Sequence, residues 1–217
     1  MELTYLGVSS FKLRGKSVTV VTDPFKPEFV GLKYPKTEAD VVTVSHSHED
    51  HNFVSVVGGA PFIISDPGEY EVKGISVFGY PSYHDEKKGG ERGKNNIFLI
   101  EMEDLRICHL GDLGGPLTPE IIEEIGITDI LCIPVGGKVT IGLDETVELI
   151  KQIEPSIVLP MHYKEAGMSG VFNDLAPISE FLSKMGAENP EKLDKLSITK
   201  DKLPEETKII LLERKVS

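Results

Sequence analysis

Six consecutive residues, His-Ser-His-Glu-Asp-His at positions 46–51, constrain this chain more than any other feature. They include three of the six histidines of the chain and follow directly on the apolar run 40–45, DVVTVS. A β-branched run of this kind predicts a buried strand. Imidazole nitrogen and carboxylate oxygen together suit zinc, manganese or iron. The fold must therefore end a buried strand where metal-ligand side chains can meet.

A histidine tag or a chance surface cluster is the alternative explanation of this tract. A tag would lie at a terminus and would be a plain repeat. This tract is internal and contains both Glu49 and Asp50. The pattern therefore favours a metal site.

Length and composition predict one globular domain over residues 1–217. The chain is 40% hydrophobic with a mean hydropathy of −0.09, and no apolar stretch approaches the roughly 18 residues of a membrane span. The first residues, MELTY, lack the basic region of a signal peptide. Cys108 and Cys132 lie in apolar runs, which favours buried thiols over a disulfide framework. We expect a cytoplasmic protein with no membrane partner, and a homo-oligomer is compatible with the sequence.

The net charge of the chain limits the kinds of molecule that it can bind. The formal net charge is −12 and the sequence pI is about 5.0. Such a surface repels polyanions at long range, and no basic stripe is visible, so nucleic acid is disfavoured as a partner. Bound divalent cations would offset the negative charge locally. A small anionic substrate therefore stays compatible with this composition.

Strands dominate the first half of the chain, and helices alternate with strands in the second. The apolar patterns predict strands over 3–13, 17–22, 40–45, 61–65, 69–73, 75–80, 96–102, 106–110, 130–135, 157–161 and 208–212. Capping signals predict helices over 118–126, 144–154 and 175–186. This order predicts sheets that pack on each other with helices outside, an α+β architecture.

Four further residues with the same chemistry follow predicted strands. They are Asp23, His84, Asp112 and His162. A lone histidine is often a structural residue, and an aspartate before Gly or Pro is often a turn former. Because all four leave the ends of strands, as the 46–51 cluster does, we expect them to converge on it.

The ordered series His46, His48, Asp50, His51, His84, Asp112 and His162 resembles the signature of the metallo-β-lactamase superfamily, HxHxDH followed by His, Asp and His. Segments 22–24, 84–85, 92–93 and 133–137 are similar to its compact branch, which includes ascorbate-6-phosphate lactonase and uncharacterised Zn-dependent hydrolases. The resemblance implies a four-layer αββα sandwich with a two-metal site.

The resemblance also implies residue roles. His46, His48 and His84 would hold one ion, Asp50, His51 and His162 the other, and Asp112 would bridge them. Zinc is the first expectation, with manganese and iron as alternatives. A hydroxide shared by two ions could cleave an ester-like bond, in a lactone or phosphodiester, of a small and anionic substrate. Asp50 is the candidate catalytic residue, because its carboxylate could move a proton between water and leaving group.

Three other functions are compatible with the same fold and ligand series. Diiron oxygen-reducing members of the superfamily resemble HxExDH, and His48 stands here where they have Glu. An imidazole-rich site favours hydrolysis over redox chemistry. A nuclease or RNA-processing hydrolase on the same site and a non-catalytic metal-binding sensor are the remaining alternatives.

Several residues around the candidate ligands have predicted supporting roles, each with an alternative. Asp23 is expected to accept a hydrogen bond from a ligand imidazole, with an Asp-Pro turn as the alternative. His109 is either a similar partner or a core histidine. The loop 84–96 is either flexible or a lid in which Arg92 or Lys94 binds a substrate anion. Residues 136–137, Gly-Gly, are expected to form a turn.

Overall fold

The computed structural model describes residues 1–187 and 189–216. Its first-half strands are β1 (Glu2–Gly7), β2 (Ser10–Arg14), β3 (Thr19–Thr22), β4 (Thr37–Glu38), β5 (Val41–Thr43), β6 (Val57–Gly58), β7 (Phe62–Ile64), β8 (Gly68–Val72), β9 (Ile75–Tyr83), β10 (Lys94–Met102) and β11 (Leu105–His109). The later strands are β12 (Ile130–Pro134), β13 (Ile157–Met161), β14 (Glu191–Leu193), β15 (Leu196–Ser197) and β16 (Lys208–Leu212). The α-helices are α1 (Pro27–Val30), α2 (Pro119–Ile125), α3 (Leu143–Ile153) and α4 (Ile178–Lys184).

Two sheets form the centre of the molecule. One has the order β15-β1-β2-β3-β5-β7, the other β14-β16-β13-β12-β11-β10-β9-β8, and β4 pairs with β6 in a small ribbon. β3 runs parallel to β5, and β11 runs parallel to β12 and β12 to β13. β9 is antiparallel to β10, which is antiparallel to β11, so β9 and β11 end at the same edge of their sheet.

The hydrophobic core has two main layers. Phe11 and Val20 of the first sheet meet Phe98 and Ile107 of the second in the layer between the sheets. A second layer lies on the other face of the eight-stranded sheet, where α2, α3 and α4 contribute residues such as Phe181. The predicted α+β sandwich is confirmed.

The outer face of the six-stranded sheet is covered differently. Val21 and Val42 of that sheet pack with Ala39, with Tyr34 and with Val57 of the ribbon. In the described part of the chain, this layer is built from loops and the β4–β6 pair rather than from long helices. None of the helices described here is long and apolar enough to cross a bilayer.

Two of the predicted boundaries that were wrong have a cause in the packing. The run 3–13 is two strands, because the chain turns at Val8 (φ 57°), whose carbonyl accepts the backbone N–H of His162. The helix predicted from 175 begins at Ile178, since Leu175 is buried in a separate cluster with Phe25 and Val8. The apolar pattern carries no sign of either contact.

Candidate metal centre

Five strand ends bring the chemistry-bearing residues together. Asp23 follows β3, the 46–51 cluster follows β5, and His84, Asp112 and His162 follow β9, β11 and β13. Because these strands run parallel within their sheets, their carboxyl ends meet at one edge of the sandwich. The topology therefore brings together candidate ligand residues that are spread over more than half of the chain.

Asp112 lies at the centre of this site. Its Oδ2 is 3.2 Å from the Nε2 atoms of His51, His84 and His162, and 3.9 Å from Nε2 of His46. One carboxylate thus contacts imidazoles from both of the predicted ligand groups. This is the position that a bridging ligand requires.

The first ligand group is His46, His48 and His84, whose candidate ligand atoms lie within 4.8 Å of one another. Nε2 of His46 and Nδ1 of His48 are 3.1 Å apart. Burial, reinforced by the nearby charge of His51, lowers the pKa of His46 to about 3. His46 is therefore neutral near pH 7, which is the form of imidazole that binds a metal.

The second ligand group is Asp50, His51, Asp112 and His162, with ligand atoms again within 4.8 Å of one another. All four residues are buried. Nε2 of His51 and Nε2 of His162 accept or donate no hydrogen bond within the described chain, although each lies 3.2 Å from Asp112. Buried polar atoms are normally hydrogen-bonded, so two imidazole nitrogens aimed at one point fit a bound cation.

The electrostatics keep the carboxylates ionised. Burial alone would raise the pKa values of Asp112 and Asp50, but the surrounding imidazoles outweigh it and lower both. Burial likewise opposes charge on His51, and the Asp112 and Asp50 carboxylates outweigh it, so the pKa of His51 lies well above its usual range. In the absence of a cation, a protonated His51 balances the buried negative charge.

Asp23 orients His51, as the sequence predicts. Its Oδ2 lies 2.8 Å from Nδ1 of His51 and accepts a hydrogen bond from Oγ of Ser45 at 2.6 Å, while Oδ1 accepts the backbone N–H of Ser45 at 2.8 Å. If a cation displaces the second proton of His51, the N–H on Nδ1 leaves Nε2 as the lone-pair atom that would face the ion. Ser45, which the sequence gives no reason to select, completes this arrangement.

His109 behaves as a core histidine. Nε2 lies 2.8 Å from the carbonyl oxygen of Ser9, and Nδ1 accepts the backbone N–H of Gly111 at 3.2 Å. Both partners are backbone atoms, so His109 shapes the turn before Asp112 and forms no hydrogen bond to a candidate ligand side chain in the described chain.

Asn95 supports Asp112 and has no signal in the sequence. Its Oδ1 accepts the backbone N–H of Asp112 at 2.9 Å, and its Nδ2 donates to Leu110 O at 2.9 Å and to Ser82 Oγ at 2.7 Å. The buried amide therefore fixes the backbone that carries the central carboxylate.

Two glycines are required because other backbone approaches them closely. A Cβ on Gly114 would lie 2.1 Å from the backbone nitrogen of Asp85, and a Cβ on Gly136 would lie 2.1 Å from the carbonyl oxygen of His162. The turn predicted at 136–137 lies slightly later in the chain: it begins at Gly137 (φ 58°), whose carbonyl accepts the backbone N–H three residues on at 3.2 Å, and Gly136 precedes it. The close approach of Gly136 to a candidate ligand is the additional finding.

The segment after His84 is an ordered loop that Asp85 organises. The Asp85 carboxylate accepts backbone N–H groups from Lys87, Gly89, Glu91 and Arg92 at 2.7–3.0 Å. These bonds, that of Arg92 foremost, lower the pKa of Asp85. Lys94 belongs to β10, where it pairs with Tyr83, so the loop is shorter than the predicted 84–96.

A cavity of about 430 Å³ opens over both ligand groups. Its polar lining includes His48, Asp50, His84, Asp112 and His162, together with Arg92. Arg92 is among the residues that line this cavity, whereas Lys94 is not among the described residues that line it. Binding of a substrate anion by Arg92 stays a prediction. A larger cavity, about 560 Å³, is lined by Arg14, Glu103 and Lys200 and contains none of the candidate ligands.

Two packed sheets with paired ligand groups at one edge define a protein of the metallo-β-lactamase fold. Residues 2–162 match the family described as the beta-lactamase superfamily domain. The chain therefore belongs to this superfamily, and the resemblance drawn from its histidine and aspartate series is confirmed.

Individual relatives agree with this assignment. A metal-dependent hydrolase of Methanoculleus marisnigri is 31% identical over 186 residues, which cover 75% of this chain and 81% of that protein. The crystal structure of a candidate Zn-dependent hydrolase of the superfamily from Thermotoga maritima is 36% identical, with a TM-score of 0.81 and 99% of each chain covered. A diiron β-hydroxylase of Streptomyces venezuelae is 15% identical over 80% of this chain and 47% of its own, and its TM-score of 0.63 shows the fold alone.

Proposed function

We propose that this protein is a metal-dependent hydrolase that holds two divalent ions and cleaves an ester-like bond, in a lactone or a phosphodiester, of a small anionic substrate. The observation that carries the proposal is the position of Asp112, whose Oδ2 lies 3.2 Å from imidazoles of both ligand groups. The similarity to a metal-dependent hydrolase of Methanoculleus marisnigri and to a candidate Zn-dependent hydrolase of Thermotoga maritima supports hydrolysis.

Seven residues would hold the ions. They are His46, His48 and His84 for the first, Asp50, His51 and His162 for the second, and Asp112 for both. Five imidazoles and two carboxylates fit zinc, with manganese and iron as alternatives. When bound, such ions lower the pKa of water from about 15.7 to about 7 and polarise a carbonyl or phosphoryl oxygen.

Asp50 is the residue that we propose to move the proton. It is ionised, lines the cavity, and keeps 10% of its side chain exposed where a substrate would lie. Its Oδ2 is 3.4 Å from Nε2 of His51 and 3.6 Å from Nε2 of His162. A carboxylate so placed can accept a proton from the attacking water and return it to the leaving group. Normal turnover in Asp50→Ala would contradict this role.

The surroundings favour a small anionic substrate. Arg92 is the cation that lines the cavity, and a guanidinium matches carboxylate or phosphate geometry. A cavity of about 430 Å³ suits a small molecule. A polynucleotide would have to approach a chain of net charge −12, which disfavours the nuclease alternative. Two buried free thiols, Cys108 and Cys132, are in keeping with action in the cytoplasm.

Metal analysis joined to a hydrolysis panel tests the proposal. We expect about two ions per chain, and metal-dependent turnover of at least one lactone, phosphodiester or thioester in the panel. Asp112→Ala should retain one ion or fewer per chain and lose turnover. Asp174→Asn is the matched control for metal content, because Asp174 lines the same cavity but lies outside both ligand groups.

The outcomes separate the alternatives. Two ions per chain without hydrolysis of any class would overturn the enzymatic proposal and favour a metal-holding sensor. Fewer than one ion per chain, with Asp112→Ala no different from the wild type, would overturn the metal centre itself.

A further inference from the structure

The cavity over the ligand groups has an apolar wall that the proposed chemistry does not use. Phe29 of α1 forms one part of it, and Val171, Phe172 and Leu175 form the part that follows His162 in sequence. The ring centroids of Phe172 and Phe29 are 5.8 Å apart, and those of Phe172 and His162 are 6.5 Å apart. The apolar wall therefore lies beside the second ligand group.

This wall is held in place by backbone contacts. The backbone N–H of Ser169 donates to the carbonyl of Val30 at 2.7 Å, and Oγ of Ser169 donates to the carbonyl of Phe29 at 2.8 Å. A Cβ on Gly31 would lie 2.8 Å from the carbonyl oxygen of Gly167. The two parts of the wall are thus fastened to each other, so the surface is formed before any ligand arrives.

Val171 is the least expected residue of the wall. Its exposed fraction is 68%, which is high for a β-branched apolar side chain. It lies in the short 3-10 turn Gly170–Phe172 at the cavity, whereas its neighbour Phe172 is buried. An apolar side chain fixed at the edge of a polar metal site is suited to cover part of a substrate.

The charged residues of the cavity are distributed unevenly. Arg92 belongs to the loop after His84, a member of the first ligand group. Asp174 lies in the segment that forms the apolar wall, and the carboxylate of Glu49 pairs with Lys26. A substrate anion is attracted to Arg92 and repelled by Asp174, so an anionic group is favoured beside Arg92 and disfavoured beside the segment that forms the apolar wall.

We propose that the substrate is amphipathic: it carries an apolar acyl or aryl group that packs on Val171 and Phe172, and an anionic group that meets Arg92. The bond to be cleaved then lies between them, over both ligand groups. This inference rests on the proposed hydrolase function and deepens it, because it names the substrate class and its orientation.

A series of p-nitrophenyl esters with acetyl, butyryl and hexanoyl chains tests whether the apolar wall binds the acyl group of the substrate. Each methylene that the wall fully covers is worth about fourfold, so kcat/KM should rise by at least about tenfold from acetyl to hexanoyl. Val171→Ser should reduce that ratio by about threefold. Ile127→Ser is the matched control, because Ile127 is 71% exposed and does not line this cavity. A flat series, or equal effects of the two variants, would overturn the proposal.

A binding measurement, which requires no turnover, tests this inference separately from the hydrolase proposal. Calorimetry on the zinc-loaded protein compares hexylphosphonate with methylphosphonate, neither of which has an ester to cleave. We expect hexylphosphonate to bind at least about tenfold more tightly, and Val171→Ser to remove part of that difference. Arg92→Gln should weaken both phosphonates by about fivefold or more, while Lys88→Gln in the same loop should not.

The two arms give distinguishable failures. Hydrolysis without any preference for chain length would overturn the amphipathic substrate and leave the hydrolase. A chain-length preference in phosphonate binding without any hydrolysis would overturn the hydrolase and leave the apolar site. Equal binding of the two phosphonates would overturn the apolar site whatever the activity.

Discussion

The two ligand groups share Asp112 at their boundary but differ in how the protein holds them. His48 of the first group is exposed, whereas all four members of the second group are buried. In the second group, Asp23 fixes His51 through a carboxylate that is itself held by Ser45.

Hydrogen bonding to the other ligands does not follow this division: Nδ1 of His46 lies 2.9 Å from the hydroxyl of Ser45, whereas Nδ1 of His84 and Nδ1 of His162 have no partner in the part of the chain described here. The difference between the groups is therefore one of burial and of the support of His51.

This difference indicates that the two groups hold their ions with different affinities. A buried, oriented group loses little freedom when it binds a cation, while an exposed imidazole must be ordered first. The second group also carries the internal charge balance of the metal-free protein, because His51 is flanked by three buried carboxylates, Asp23, Asp50 and Asp112. We therefore expect the second ion to be tightly held and the first to exchange more easily.

Replacing Asp112 with Ala should have the largest effect, because this carboxylate belongs to both groups. Loss of an outer hydrogen-bond partner alone costs about 10–100-fold in metal affinity or activity, so loss of the shared ligand should exceed about 100-fold in kcat/KM. Metal content should fall to one ion or fewer. Two ions retained at wild-type affinity would show that Asp112 bridges nothing.

Removing one imidazole from each group tests the asymmetry directly. In the metal-free protein, His51→Ala leaves buried carboxylates without their counter-charge and should cost about 3–5 kcal/mol of unfolding free energy. His48→Ala removes an exposed side chain and should change it by no more than about 0.5 kcal/mol. Chemical denaturation after chelation measures both. Equal losses of stability would contradict the difference between the groups.

Replacing Asp23 with Asn tests whether its hydrogen bond to His51 helps the second group to bind its ion. The variant should bind the second ion about 10–100-fold more weakly, because the hydrogen bond that orients His51 is weakened. The first ion should be weakened less, because Asp23 reaches a ligand of the first group, His46, through a serine hydroxyl rather than directly. Competition with a chelator, followed ion by ion, reports both affinities. Asp129→Asn is the control, since Asp129 is equally buried but pairs with Lys200 away from the site. If the variant bound both ions more weakly to the same extent, Asp23 would not be a specific support of the second group.

The convergence of the candidate ligands could be predicted from the sequence because their signals are local. The β-branched run before His46 and the apolar run before His162 each mark a strand end, and a shared position at strand ends predicts convergence. Asp23 was found by the same rule. The order of the series, rather than any single residue, then pointed to the superfamily.

What supports the ligands could not be predicted, because it depends on contacts between distant segments. Asn95 supports Asp112 from another strand, and nothing in its neighbourhood marks it as buried. The turn at Val8 exists where His162 donates to its carbonyl. The apolar wall joins Phe29 to Phe172 across most of the chain. Apolar periodicity reports which face of an element is buried but not which distant segment covers it.

The smallest effect should come from a substitution in the loop beside the first group, because this loop would position the substrate rather than a metal ion. Asp85→Ala removes the acceptor of four backbone N–H groups and frees Arg92. We expect KM for an anionic substrate to rise about threefold to tenfold, with kcat and metal content nearly unchanged, because positioning an anion contributes mainly to binding. Glu86→Ala is the control, since its carboxylate accepts none of these bonds. If Asp85→Ala released an ion instead, the loop would support His84 itself, and the two groups would be more alike than their burial indicates.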